Sequence, residues 1–173
     1  MIAGALAPRA PSRPSPRVSV MMTTSPVWST SVPTTLPLLI VDGRVTSLPV
    51  WTARTRAERN KGLLGTDGIA GALWITRCNW IHCFGMRYAL DVIYLSRTGH
   101  VAAMTTHRPG RLGAPRVSAT AVIEMEAGQA EALGIHRGTV ITTTEMTGGG
   151  SSIGGFGPVA EFGDGAEPEA SRA

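Results

Sequence analysis

The chain has 173 residues, of which 43% are hydrophobic and 16% charged, a balance typical of one compact domain with its own core. No apolar run approaches the roughly 20 residues of a membrane-spanning helix, so no membrane span is expected. The formal charge is +4, but the basic residues are scattered, whereas a nucleic-acid-binding surface needs them clustered. We therefore expect no nucleic-acid partner.

The two ends of the chain differ in composition from its middle. Residues 1–35 are rich in Pro, Ser, Thr and Arg, which predicts a disordered tail. Met21 and Met22 offer alternative translation starts, so residues 1–20 could be a gene-model artefact. Residues 147–173 are Gly-rich and then acidic, and they predict a second disordered tail. A single β-rich domain is expected over residues 36–146.

Short apolar segments separated by turn residues predict a mainly β fold. Segments 38–41 and 45–51 flank Asp42-Gly43 and should form a hairpin. Thr55 and Glu58 have the spacing of a capping box, which predicts a short helix ending near Gly62 or Gly65. Further strands are predicted over 71–76, 80–87, 91–95, 100–105, 120–125 and 138–145, with a loop over 106–117 and a second helix over 127–133. This pattern is typical of a barrel or sandwich with two short helices.

The two cysteines, Cys78 and Cys83, are five residues apart. In an extended strand this spacing is too long for a disulfide, so reduced cysteines and a cytoplasmic location are expected. A lone cysteine in an apolar run is more often buried and inert than nucleophilic. Catalysis by Cys83, with His82 or His107 as the base, is therefore the weaker hypothesis. Adjacent residues of a strand point to opposite faces, so His82 could not pair with Cys83 directly.

Residues 81–95 hold the most chemically capable side chains of the predicted domain. A strand over 80–87 would place His82 and Met86 on one face, near Cys78, as soft ligands suited to Cu(I). No tight cluster of cysteines and histidines accompanies them, and ordinary packing explains the same residues. No metal or other cofactor is therefore expected.

A buried carboxylate needs a partner, and Arg87 or Arg59 could supply one to Asp91, with Glu58 nearby. One interpretation is an ion pair that holds the helix on the sheet. The other is a ligand-binding pocket formed by the five residues His82, Arg87, Asp91, Arg59 and His107, the last from a loop covering the cleft. Glu124 and Glu126 resemble a catalytic pair, but their position where a strand meets a helix favours a structural role.

Four separated motifs share one order and spacing. They are Arg56-Ala57-Glu58-Arg59 with Gly62-Leu63-Leu64-Gly65, Gly71-Ala72-Leu73-Trp74, the run from His82 to Leu95, and Val122-Ile123-Glu124-Met125-Glu126-Ala127-Gly128 followed by Leu133-Gly134-Ile135 and Gly138. Over residues 38–143 the chain resembles the uncharacterised bacterial and archaeal family called domain of unknown function 192. The resemblance implies a compact jelly-roll-like β fold and brings no reaction, substrate or cofactor.

The sequence favours a non-enzymatic module that binds a ligand or a protein partner. A second hypothesis is an enzyme that acts on a small anionic substrate through His82, Arg87 and Asp91, so whether the chain is an enzyme stays open. The resemblance suggests a third hypothesis, an accessory factor of a pilus-assembly or secretion system. The sequence identifies neither the ligand nor the partner.

Overall fold

A computed structural model describes residues 23–148. The fold is mainly β, as predicted, and seven strands form one sheet that is curled into a half-barrel. The strands are β1 (Leu38–Val41), β2 (Arg44–Ala53), β3 (Ala72–Thr76), β4 (Leu90–Leu95), β5 (Val101–His107), β6 (Ala121–Glu126) and β7 (Ile141–Thr143). The helices are α1 (Arg56–Lys61), α2 (Gln129–Ala132) and α3 (Thr144–Gly148), and a 3-10 turn spans Pro33–Thr35. The finer jelly-roll description stays a prediction.

The strands lie in the order β5-β4-β6-β3-β2-β1-β7. All neighbouring pairs are antiparallel except β2 and β3, which run parallel. The predicted hairpin of β1 and β2 is confirmed, with Asp42 and Gly43 at φ +48° and +77° in its turn. The capping box of α1 is also confirmed, because the amide of Glu58 donates to Thr55 Oγ1 and the Glu58 carboxylate accepts from the amide of Thr55.

One predicted strand is wrong and another is longer than the strand that the structure has. Residues 80–87 form a loop, and Gly85 turns the backbone at φ +77°, a conformation that glycine adopts readily. The predicted strand 138–145 is shortened to β7, and residues 144–148 form α3 instead. The described part of the chain therefore has three short helices rather than two.

The chain contacts the domain before the predicted boundary at residue 36. The amides of Asp67 and Ala70 donate to the carbonyls of Thr23 and Thr24, and Trp28 Nε1 donates to the Gly62 carbonyl at 2.9 Å. Hydrogen bonds therefore join residues 23–28 to the domain, and the predicted domain bounds of 36–146 stay a prediction. Of the predicted tails over 1–35 and 147–173, residues 1–22 and 149–173 lie outside the described residues.

Apolar side chains cover both faces of the central strands. On one face, Trp74, Ile93 and Ile123 pack with Ala130 of α2. On the other, Leu73, Val92 and Val122 pack under the loops that precede β3, β4 and β6. Strands covered on both faces bury successive side chains in two alternating layers, polar side chains included. Among residues 23–148, no helix is long and apolar enough to cross a membrane.

We expect Gly71→Ala to destabilise the fold, because Gly71 precedes β3 where the chain passes close to β2. A Cβ at Gly71 would lie 2.7 Å from the ring of Trp51 and nearer still to the Pro49 carbonyl oxygen. Overpacking of this kind costs about 1–3 kcal/mol of unfolding free energy, measured by urea denaturation. Gly68→Ala is the control, since the one close approach of its Cβ, at 2.7 Å, would be to Oε1 at the flexible end of the Glu126 side chain. An equal loss in both variants would contradict the prediction.

Candidate functional site

The loop over residues 77–88 covers one face of the sheet and is held by the loop over 108–119. The amide of Cys83 donates to the Arg111 carbonyl at 2.8 Å, and the amide of Gly113 donates to the Ile81 carbonyl at 3.1 Å. These bonds make Ile81 and Cys83 point inward, where they are 5% and 1% exposed. His82 and Phe84 point outward, so the alternation of a strand persists in a segment that is not one.

Beneath this loop lies a pocket of about 280 Å³, which we call the Glu124 pocket. Helix α1, the end of β3, the loop and the middle of β6 surround it. Its apolar lining consists of Leu63, Leu64, Ile75, Ile81, Met86 and Leu90. Its basic lining residues are Arg59, Lys61, Arg77 and His82, and Glu124 is the one acidic residue that lines it. An apolar cavity with a few convergent polar groups is the usual form of a small-molecule site.

Glu124, in the middle of β6, lines this pocket. Glu124 is 6% exposed and lies between Leu73 of β3 and Val92 of β4 in the sheet. Within residues 23–148, no hydrogen bond reaches its side chain, and burial raises the pKa of Glu124 to about 7. Near neutral pH the group is therefore a mixture of acid and carboxylate, both without a partner.

Asp91, one of the predicted site residues, lies on the opposite face of the sheet. It is 4% exposed, and its carboxylate accepts from Thr106 Oγ1 at 2.6 Å and from the amides of Gly128 and Ala130 at 2.7 and 3.1 Å. These bonds tie β4 to β5 and to the start of α2. The predicted pairing of Asp91 with an arginine is wrong, because backbone amides and a hydroxyl take up its oxygens.

Arg87 is paired elsewhere, with Asp67 in the segment before β3. The amide of Thr23 and then the Arg87 guanidinium, each by a hydrogen bond, lower the pKa of the Asp67 carboxyl. Both partners reach solvent, so this ion pair contributes little to stability. Arg87 therefore helps to hold the N-terminal segment on the domain and does not line the Glu124 pocket.

The remaining predicted residues divide between the pocket and its surroundings. Arg59 lines the pocket and donates one hydrogen bond to the Arg54 carbonyl. His107 lies at the end of β5, where its Nε2 contacts Thr105 Oγ1 at 2.9 Å, and it does not line the pocket. Of the five predicted ligand-binding residues, the structure brings only His82 and Arg59 to one cavity. Ligand binding by any of the five stays a prediction.

His82 joins two exposed aromatic residues beside the pocket. Its ring stacks on Phe84 at a centroid distance of 5.4 Å and meets the edge of Trp80 at 6.4 Å. Trp80 and Phe84 are 43% and 52% exposed, and Trp80 Nε1 is anchored to the Gly113 carbonyl at 2.7 Å. The imidazole is thus part of an exposed aromatic surface and also lines the pocket.

The cysteines offer neither an activated nucleophile nor a metal cluster in the described residues. Burial raises the pKa of Cys83 to about 11, so its thiol stays protonated at neutral pH. Cys78 is also free, its pKa is raised by burial, and its Sγ donates to the Trp80 carbonyl. Between residues 23 and 148, no three histidine, cysteine or acidic side chains come together as metal ligands.

Glu124 is the site residue that the sequence interpretation set aside. Its spacing of two from Glu126 indicated a shared face, but the two carboxylates sit at different depths. Glu126 is exposed at the end of β6 and accepts from the amide of Ile69, whereas Glu124 is enclosed. The signal was a carboxylate inside an apolar strand, the same signal that drew attention to Asp91.

We expect Asp91→Ala to lower the unfolding free energy by about 3 kcal/mol, because it removes the acceptor of three hydrogen bonds, one of them from the buried amide of Ala130. Thr106→Val removes one of the three bonds and should cost about 1 kcal/mol. Urea denaturation of both variants against wild type measures the difference. A loss under 1 kcal/mol for Asp91→Ala would contradict the structural role.

We expect Glu124→Gln to stabilise the protein at high pH. The folded-state pKa of Glu124, about 7, lies above its ordinary value of 4.5, so the folded state holds a proton that the unfolded state releases. Stability from this group is complete below pH 4.5 and is lost as the pH rises through 7. The variant should therefore gain up to about 3 kcal/mol over wild type between pH 4.5 and pH 8.

Urea denaturation from pH 4.5 to pH 8 measures this dependence. Glu131→Gln removes an exposed carboxylate and serves as the control for the loss of one negative charge. A constant difference between Glu124→Gln and wild type across this range would show that Glu124 is solvated.

Two solved structures share this fold. A protein of unknown function from Novosphingobium aromaticivorans DSM 12444 gives a TM-score of 0.55 at 22% identity, with 72% of this chain and 94% of that chain covered. A proposed transcription regulator from Sinorhizobium meliloti 1021 gives a TM-score of 0.56 at 18% identity, with 62% and 92% covered. Similarities at such low identity show the fold alone. No curated protein is significantly similar to this chain.

The family profile of DUF192, described as an uncharacterized ACR, matches residues 38–143. This range is the one over which the sequence motifs resembled the family, so the resemblance is confirmed. Because the profile spans more than half of the 173 residues, this chain belongs to the DUF192 family.

Proposed function

We propose that this chain is a non-enzymatic module that binds a small anionic molecule in the Glu124 pocket. The observation that carries the proposal is the composition of the pocket lining. Three basic residues, Arg59, Lys61 and Arg77, line a cavity in which Glu124 is the one acidic lining residue. An excess of one sign of charge in a cleft with apolar walls attracts ligands of the opposite sign.

The shape of the pocket adds a second requirement, an apolar body. Apolar side chains make up much of its lining, in which Arg59 is half-buried and Arg77 is exposed. A small carboxylate with one hydrophobic group fits both features. Arginine is suited to carboxylates because its planar guanidinium donates two parallel hydrogen bonds.

The enzyme hypothesis gains no support from the arrangement of its three residues. His82 lines the pocket, Arg87 pairs with Asp67, and Asp91 lies on the other face of the sheet with its oxygens already bonded. The proposed site therefore keeps His82 and Arg59 from the predicted set and adds Arg77 and Glu124. A role in a pilus-assembly or secretion system and a cytoplasmic location remain proposals of the sequence.

A protein partner is the second candidate function, favoured by the exposed aromatic surface of Trp80, His82 and Phe84. Leu112, which is 54% exposed, lies opposite His82 across an isolated bridge and extends this surface. Aromatic residues are enriched at protein interfaces. Because Trp80 and His82 also line the Glu124 pocket, a partner on this surface would meet the pocket mouth.

The test is a set of three probes with one phenyl group and different charges: phenylacetate, phenylacetamide and phenethylamine. We expect phenylacetate to bind best at pH 6, measured by amide chemical-shift changes and by the rise in melting temperature. Arg59→Gln and Arg77→Gln should each weaken its affinity by about fivefold, as expected for partly exposed charge pairs.

Arg87→Gln is the matched control, since it removes an arginine that does not line the pocket. It should leave the affinity for phenylacetate unchanged. Tighter binding of phenethylamine than of phenylacetate, or an equal effect of Arg87→Gln, would overturn the proposed site.

A further inference from the structure

Glu124 is an obstacle to anion binding unless it carries a proton. An ionised Glu124 in the lining of the pocket would repel an anionic ligand at close range, because the side chain is largely shielded from water. A protonated Glu124 has the opposite effect, because its hydroxyl group can donate a hydrogen bond to the ligand. No hydrogen bond from a described residue contributes to the pKa of Glu124, which burial alone raises, so the hydroxyl hydrogen is available to a ligand.

We propose that Glu124 binds the ligand as a neutral carboxylic acid, donating its hydroxyl hydrogen to a ligand carboxylate, so that binding is coupled to proton uptake. This inference rests on the proposed function and assigns the ligand class, a small apolar carboxylate. The proton comes from solvent, and no covalent bond forms or breaks. The hydrogen bond from a neutral acid to a carboxylate is charge-assisted, which makes it short and strong.

The surroundings of Glu124 support this role by geometry. The charged groups that line the same cavity are Arg59 and Lys61 from α1 and Arg77 after β3, and none of them forms a hydrogen bond with Glu124. The other titratable neighbours are Cys78, His82, Cys83, Tyr88 and Tyr94. The cysteine and tyrosine pKa values are raised, which keeps these groups neutral. The experiment must therefore distinguish the effect of Glu124 on the pH dependence of binding from the effect of His82.

Isothermal titration calorimetry with phenylacetate, in two buffers of different ionisation enthalpy, measures both affinity and proton uptake. With a pKa of about 7 for free Glu124, wild type should take up about 0.1 proton per ligand at pH 6 and about 0.9 at pH 8. Its affinity should fall about tenfold over the same range, because binding needs the protonated form.

Glu124→Gln is the decisive variant, since its amide keeps a hydrogen-bond donor at every pH. It should bind phenylacetate with the same affinity at pH 6 and pH 8 and without proton uptake. His82→Gln should retain the pH dependence of wild type, whatever its effect on affinity. The reverse result, with the dependence lost in His82→Gln and kept in Glu124→Gln, would overturn the inference.

The remaining outcomes separate this inference from the proposed function. Binding of phenylacetate to wild type without proton uptake would overturn the role of Glu124 and keep the anion site. Proton release with stronger binding of phenethylamine would overturn both, because the carboxylate would then be the binding group. Absence of binding of all three probes at pH 6 and pH 8 would overturn the proposed function itself.

Discussion

The burial of β6 on both edges and both faces is the constraint on which the rest of the structure depends. β6 pairs with β3 on one edge and with β4 on the other, and every side chain from Ala121 to Met125 is buried. A polar residue in such a strand cannot turn to solvent, since successive side chains alternate between two apolar layers. The position of Glu124 in β6 therefore directs its side chain into one of the two buried layers.

Two buried carboxyl groups show how differently the fold treats the same chemical group. Asp91 on one face is bonded by a hydroxyl and two backbone amides, which join β4 to β5 and α2. Glu124 on the other face has none of these partners within the described residues, and a cavity lies where such donors would be. The hydrogen bonds of Asp91 stabilise the fold. Glu124 has no such bonds, and burial raises its pKa to about 7, because the protonated form is less costly to bury than the carboxylate.

The sequence predicted most of the sheet and little of the site, for a physical reason that the loop over 80–87 illustrates. Its residues alternate between apolar inward and polar or aromatic outward positions, which is the pattern of a strand. The structure keeps that alternation through hydrogen bonds with residues 111–113, but Gly85 turns the chain before a ladder can form. The hydrophobic pattern of a segment indicates which of its side chains are buried. It does not indicate whether a neighbouring segment pairs with it as a strand.

The hydrogen-bond partners of Asp91 could not be predicted either, because they lie far away in sequence. A buried Asp91 needed a donor, and the sequence offered arginines nearby, yet the donors come from Gly128 and Ala130, 37 and 39 residues away. The capping box of Thr55 and Glu58 was predictable because its partners are three residues apart. Contacts between residues close in sequence could therefore be predicted, whereas contacts between residues far apart in sequence required the structure.

The lack of a hydrogen-bond partner for the buried Glu124 carboxyl group also affects the free energy of ligand binding. The free energy that burial costs Glu124 is present in the free protein and disappears when a partner satisfies the group. A ligand that accepts the hydroxyl hydrogen recovers this energy, so part of its affinity comes from relief of an existing penalty rather than from new contacts alone. Asp91 offers no such gain, because its oxygens are already bonded. The proposed ligand would for this reason gain more on the face of the sheet that carries Glu124 than on the face that carries Asp91.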